Sequence, residues 1–351
     1  MKENGVKSIE IIGNGCGSME EYKLASLLTC KVKRGEIKQH IESITNPKVK
    51  EMVLAEYYYF CGRHDEAAKT LNKYLDCDDL YVRSNAWFMY TFCNLTLCKT
   101  EETRKSIDTV CGFLKKYKKG DYDKTMEPMY VFLVNAANIL LDLRITGVPL
   151  LDDYVGLLPA GFKVFACYLL SMQSYQRGEY YKGTGIVDTC FLLERTDYVV
   201  PSIYLYLAGA MNAMGVDNTE LGKEYFTKAY ELAKEDGLFE PIGENHGLLH
   251  GLVETCLKKK QTKDYEKIIA ITYKFSYGWR RIHNPFTGEN VADTLSTTEF
   301  AVAMLAKRGW SNKEIAEYME LNVNTIKGYM ASIFDKLGIS CRKELTDYML
   351  K

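Results

Sequence analysis

Residues 295–351 constrain the fold most, because helix starts, helix stops and a two-helix spacing follow one another there without interruption. Ser311 followed by Glu314 is a capping box, in which the hydroxyl accepts an orphan amide and the carboxylate returns to the cap. Gly309, just before it, supplies the left-handed stop of a preceding helix. These signals predict a helix over residues 312–319, with Ile315, Ala316 and Met319 on its inner face. Glu320, Leu321 and Asn322 make the turn, and Asn322 caps a third helix over residues 323–337. Its inner face reads Ile326, Tyr329, Ile333 and Leu337 at helical spacing, and Gly338 stops it. Its outer face carries Asn324, Lys327, Gly328 and Ala331. Ser296 and Glu299 form a second capping box ahead of Phe300, Met304 and Leu305, and Ser340 opens a fourth helix with Leu345, Tyr348 and Met349. The middle pair has helix-turn-helix spacing, so double-stranded DNA is the expected partner.

The same segment resembles the LuxR/FixJ/GerE-type four-helix DNA-binding domain. The resemblance rests on Leu295 with Glu299, Gly309, the run Ser311 to Ala316, Thr325-Ile326-Lys327, Lys336-Leu337-Gly338 and Arg342. Thr298, Asn322 and Tyr329 stand where that family usually has Arg, Ser and His, and Gly328 and Ala331 stand where it often reads bases. By position, Asn324 suits adenine and Lys327 suits guanine, while Ala331 suits a thymine methyl and Gly328 allows close approach. Ser311, Asn312 and Lys313 open a helix whose amides favour a phosphate. The resemblance adds Thr325 and Lys336 as phosphate contacts, and Leu345, Tyr348 and Met349 as dimer contacts. For these last three, packing on the third helix is the other reading. With 8 Lys and Arg against 7 Asp and Glu in residues 295–351, one copy neutralises few phosphates. A homodimer on two half-sites would compensate. A helical bundle used for protein contacts is the alternative.

The rest of the chain reads as helix that repeats. Ala55, Gly62, Ala67, Leu71 and Tyr74 share their spacing with Ser171, Gly178, Gly183, Val187 and Cys190. Thr91, Cys98, Thr103, Ile107 and Val110 follow it too, and Ala208, Gly215, Gly222, Phe226 and Ala229 match after a two-residue insertion. Small residues at these points let paired helices cross closely. The pattern resembles a degenerate tetratricopeptide repeat, and residues 221–290 are similar to the stretch before the DNA-binding domain in MalT-like regulators. The expected fold is all-α: a flexible start (1–19), a tetratricopeptide-like α-solenoid (20–277) with a concave groove for an effector or protein partner, a linker (278–294) and the helix-turn-helix domain (295–351). A helical domain without repeats is the alternative.

Gly278, Pro285 and Gly288 mark the linker, whose Trp279, Arg280, Arg281 and His283 suit a DNA-backbone contact, a clamp between the two domains or an exposed basic turn with a buried Trp. A net charge of −1, 47% hydrophobic residues, no membrane-length apolar run and no leader-like start point to a cytoplasmic protein. Eleven Cys without a C-x-x-C suggest reduced, buried thiols. Gly13 to Ser18 is Gly-rich but lacks the phosphate-binding lysine, so no nucleotide cofactor is expected. His246, His250 and Glu254 have metal-ligand spacing on a helix face, with an ordinary contact as the bland reading. Lys258 to Lys260 reads as a solvated helix end. No catalytic constellation is locatable, and no enzyme, metal or cofactor is expected. The functional expectation is a DNA-binding transcriptional regulator; the alternatives are a repeat adaptor without DNA binding and a metal- or redox-responsive sensor.

Overall fold

A computed structural model describes residues 17–118, 120, 124–143, 146–193, 198–283 and 295–348. Among them there are helices and turns and no strand. In chain order the helices are α1 (Gly17–Ala25), α2 (Ile37–Ser43), α3 (Pro47–Phe60), α4 (His64–Leu71), α5 (Leu80–Thr96), α6 (Thr100–Lys118), α7 (Glu127–Leu140), α8 (Ala160–Gln176) and α9 (Tyr180–Leu193). They continue as α10 (Val199–Gly215), α11 (Thr219–Ala233), α12 (Glu240–Glu244), α13 (Leu252–Leu257) and α14 (Thr262–His283), then α15 (Thr297–Lys307), α16 (Asn312–Tyr318), α17 (Val323–Leu337) and α18 (Leu345–Tyr348).

The four spaced sets fall on four antiparallel hairpins, α3/α4, α5/α6, α8/α9 and α10/α11. Each turn contains one left-handed residue: Gly62, Cys98, Gly178 and Asp217. In the last hairpin Gly215 ends α10 and the left-handed role passes to Asp217, which is where the insertion lies. The crossing points are filled as the spacing requires, with Ala55, Ala67, Thr91, Thr103, Ser171, Ala208 and Ala229 all fully buried. Gly183 is small for a visible reason: a Cβ there would sit 2.1 Å from the Asn212 side-chain oxygen of α10.

The helices α12 and α14 pack on each other, α12 also on α3 and α14 also on α5 and α6. Tyr59 of α3 donates to Glu244 Oε2 (3.0 Å), and His64 Nε2 of α4 meets Glu240 Oε1 at 2.9 Å, with Tyr59, His64 and Glu240 buried. Burial, with the neighbouring Glu240, raises the Glu244 carboxyl above its usual range. The Tyr57 hydroxyl donates to the Asp236 carbonyl, and the Asp236 carboxylate accepts from the Gly35 amide. Segments about two hundred residues apart are thus hydrogen-bonded to each other.

Two boundaries also move. Gly278 does not break a helix, since α14 runs through it to His283. A Cβ there would lie 1.7 Å from the Leu95 carbonyl of α5, so the glycine serves a close crossing. Trp279 stacks on Phe275 and Arg281 donates to the Tyr277 hydroxyl (2.7 Å), all on α14. Pro285, Gly288 and the rest of 284–294 lie outside the described residues, as do Gly13 to Cys16. Gly17 to Met19, expected in the flexible start, belong to α1. That helix is anchored where Glu56 accepts from the Ser26 hydroxyl (2.9 Å), the Leu27 amide (2.7 Å) and Asn85 (2.9 Å). The described cysteines are free thiols, and no helix among the described residues is long and apolar enough to cross a membrane.

Candidate nucleic-acid interface

Both capping boxes form. The Glu299 amide donates to Ser296 Oγ (3.2 Å) and the Ser296 amide to Glu299 Oε2 (2.7 Å). At α16 the Glu314 amide donates to Ser311 Oγ (3.2 Å) and the Ser311 amide to Glu314 Oε2 (2.6 Å). Asn322 caps α17 by accepting from the Asn324 amide (2.8 Å), and Gly338 stops it at φ +62°. The α16–α17 turn uses Glu320 in the left-handed region (φ +53°). Ile315, Ala316 and Met319 are buried as expected, and Tyr318 is buried beside them. On α17 the buried set is Ile326, Met330, Ile333 and Leu337. Met330, rather than the expected Tyr329, completes the stripe, because four-three-four spacing keeps it on the helix's inner line while Tyr329 falls on the flank, half-buried.

The outer face of α17 is open. Asn324, Thr325, Lys327, Gly328 and Ala331 are all exposed, and so are Ser311 and Lys313 at the start of α16. Two candidates are engaged within the bundle. The Asn312 side-chain oxygen accepts from Arg342, which also donates to the Trp310 carbonyl. Lys336 donates to both Glu299 oxygens (2.8 and 2.7 Å), and the Ser332 hydroxyl joins them (2.7 Å). Glu299 is 5% exposed. Burial works against its charge, but Lys336, Ser332 and Ser296 more than offset this and hold its carboxyl at about 2. Of the dimer candidates, Leu345 is fully buried in the bundle and therefore packs rather than presents a surface. Tyr348 lies in α18, and Met349 is outside the described residues.

The opposite side of the bundle, made by α15 and α16, is docked on the helical body. Arg308 pairs with Asp217, and the Trp310 indole donates to the same carboxylate (3.1 Å). The Lys259 ammonium donates to the Glu320 carbonyl (2.7 Å) and Lys258 to the Thr298 hydroxyl (3.1 Å). The lysine run expected to be a solvated helix end is therefore in part a clamp, because the end of α13 faces the bundle. A side chain at Gly251 would touch Ala301 and Tyr318. Arg308, Trp310 and Tyr318 were not singled out from sequence, and their only local signal is two aromatics and a cation around a capping box.

His246, His250 and Glu254 do not share a helix face. His250 (φ +49°) and Gly251 (φ +80°) interrupt the chain between them. His246 Nε2 meets Glu254 Oε1 (2.9 Å), and His250 Nε2 meets the Tyr175 hydroxyl (2.7 Å). Burial, with Arg308 and Lys307 nearby, pushes His250 down to about 3. No group of three or more His, Cys, Asp or Glu able to hold a metal occurs among the described residues.

Residues 293–349 match the family model of bacterial regulatory proteins, luxR family. The C-terminal bundle is a LuxR-family helix-turn-helix domain. The chain is similar to the oxygen regulatory protein NreC of Staphylococcus aureus strains JH9 and JH1, at 34% identity over 77 residues in each. Those alignments take in 19% of this chain and 36% of each relative, so the chain spans about a third of the length of the relatives it matches. No solved structure matches. The LuxR-family assignment covers residues 293–349.

Proposed function

We propose that this chain is a DNA-binding transcriptional regulator: its LuxR-family domain binds operator DNA as a dimer, and its tetratricopeptide-like body responds to an effector or protein partner. The observation that carries the reading is the exposed face of α17, where Asn324, Thr325, Lys327, Gly328 and Ala331 lie together in a domain of this family. Asn324 and Lys327 are the base-reading pair, with Ser311, Lys313 and Thr325 on phosphates. The protein acts by binding rather than catalysis, in the cytoplasm. The effector shifts which arrangement of two DNA-binding domains is populated, and one arrangement fits the half-site spacing.

The test is selection of sheared host DNA on the purified chain at about physiological salt, followed by titration of a recovered fragment. An inverted repeat is expected. Lys327→Ala should weaken specific binding about tenfold or more and relax one base position. Lys313→Ala should weaken all sequences alike and lower the salt slope by about one. Lys336→Ala is a poor probe because it also unpairs Glu299. Retention without sequence preference, unaffected by Lys327→Ala, would favour an adaptor that binds protein instead.

A further inference from the structure

A cavity of about 340 Å³ lies between α11, α13 and the bundle. That is the size of a small-molecule site. Phe226, Cys256 and Leu257 give it an apolar wall, Lys223 and Lys260 stand on it, and Glu320 reaches in from the α16–α17 turn. Its lining holds two lysines, Lys223 and Lys260, against two glutamates, Glu231 and Glu320. The two lining carboxylates already have cations: Glu231 has Lys234 at 2.7 Å and Arg34 at 3.8 Å, and Glu320 has Lys259 at 3.5 Å. Lys260 has no ion-pair partner among the described residues. Among the described residues the ion-pair partner of Lys223 is Glu220, whose side chain is 82% exposed and which lies outside the cavity. Such a surface pair is weak and exchangeable.

We infer that this cavity binds a small organic acid, a carboxylate or phosphate ester with an apolar body, and that its occupation acts on the helix-turn-helix. The inference rests on the regulator reading above and places the effector at the seam between body and bundle. The link to the bundle is direct. The Lys223 ammonium lies 5.6 Å from the centre of the Tyr318 ring of α16, and Glu320 belongs to the turn that sets α17. An anion held by Lys223 and Lys260 draws Lys223 from Tyr318 and repels Glu320 from its place beside Lys259. The docked bundle is thereby loosened.

The experiment is calorimetric titration of the full chain, without DNA, using benzoate, phenyl phosphate, inorganic phosphate and benzamidine. Benzoate or phenyl phosphate should bind at about 10 mM or below, more tightly than inorganic phosphate, while benzamidine, a cation of benzoate's shape, should not. Lys223→Ala with Lys260→Ala should weaken that binding about tenfold or more, and the paired Arg substitutions should retain it. Both lysines are on the surface, and an unchanged melting temperature shows that the variant folds. The inference is overturned if neither organic anion binds, if benzamidine binds as well, or if the double Ala variant binds unchanged. Because this readout contains no DNA, a chain that binds benzoate but no operator would sink the regulator reading and keep the cavity.

Discussion

Glu299 shows how one side chain can cap, bridge and specify at once. It closes the α15 capping box and holds Lys336 and Ser332 of α17. Its depressed carboxyl fixes the sign of the acid response. The folded chain keeps this group ionised to about 2, whereas the unfolded chain protonates it near pH 4.3. The stability it contributes is therefore complete above that value and lost as pH falls toward 2. Glu299→Gln should flatten the acid limb of the stability curve in that window. At neutral pH it should cost about 2 kcal/mol, less than for a fully buried pair because the Lys336 end is exposed. Urea midpoints measured from pH 2 to 7 check this. A variant whose stability is unchanged at every pH would show that Glu299 acts as a cap alone, since Gln keeps the capping box.

At the scale of the element, what was legible followed from local chemistry. The first three helices of the bundle, their caps and the open face of α17 follow from Ser296, Glu299, Ser311, Glu314, Asn322 and Gly338, each of which acts on its own neighbours. The hairpins were legible for the same reason, since Gly62 and Gly178 mark turns and the small residues mark crossings. Gly278 was misread because its reason is Leu95, far away in sequence, and nothing beside Gly278 says whether a glycine breaks a helix or admits a neighbour. The packing of α12 on α3 and α4 was invisible likewise, for it depends on Tyr59 finding Glu244 and His64 finding Glu240. Lys336, a phosphate contact by family resemblance, also pairs with Glu299 two helices earlier, and nothing beside Lys336 announces that partner. Gly278→Ala separates the two readings of that residue. Helix propensity alone favours Ala by about 1 kcal/mol, whereas the Leu95 carbonyl demands a backbone shift that should cost about 2 kcal/mol net. A rise in the urea midpoint would mean that α14 does not cross α5 this closely.

At the scale of the whole molecule, the question is how the body holds the bundle. Asp217 binds both Arg308 and Trp310, and it does so from a left-handed turn (φ +59°) that closes the α10/α11 hairpin. The same residue therefore shapes a repeat and grips the bundle, and the two duties can be separated by choice of substitution. Gly tolerates the turn and removes both contacts. Asn also tolerates it, keeps an oxygen for the indole and removes only the charge. The Asp217 side chain is 66% exposed while Arg308 is 16% exposed. The ion pair is therefore in the surface class and contributes about 0.5 kcal/mol. Asp217→Gly should speed amide exchange across α15 and α16 a few-fold, leave α10 protected, and change operator affinity if docking orients the bundle. Asp217→Asn should fall between it and the parent chain. If Asp217→Gly leaves α15 and α16 as protected as before, docking rests on the apolar contacts around Tyr318 and Gly251, and the gate between body and bundle must be sought there.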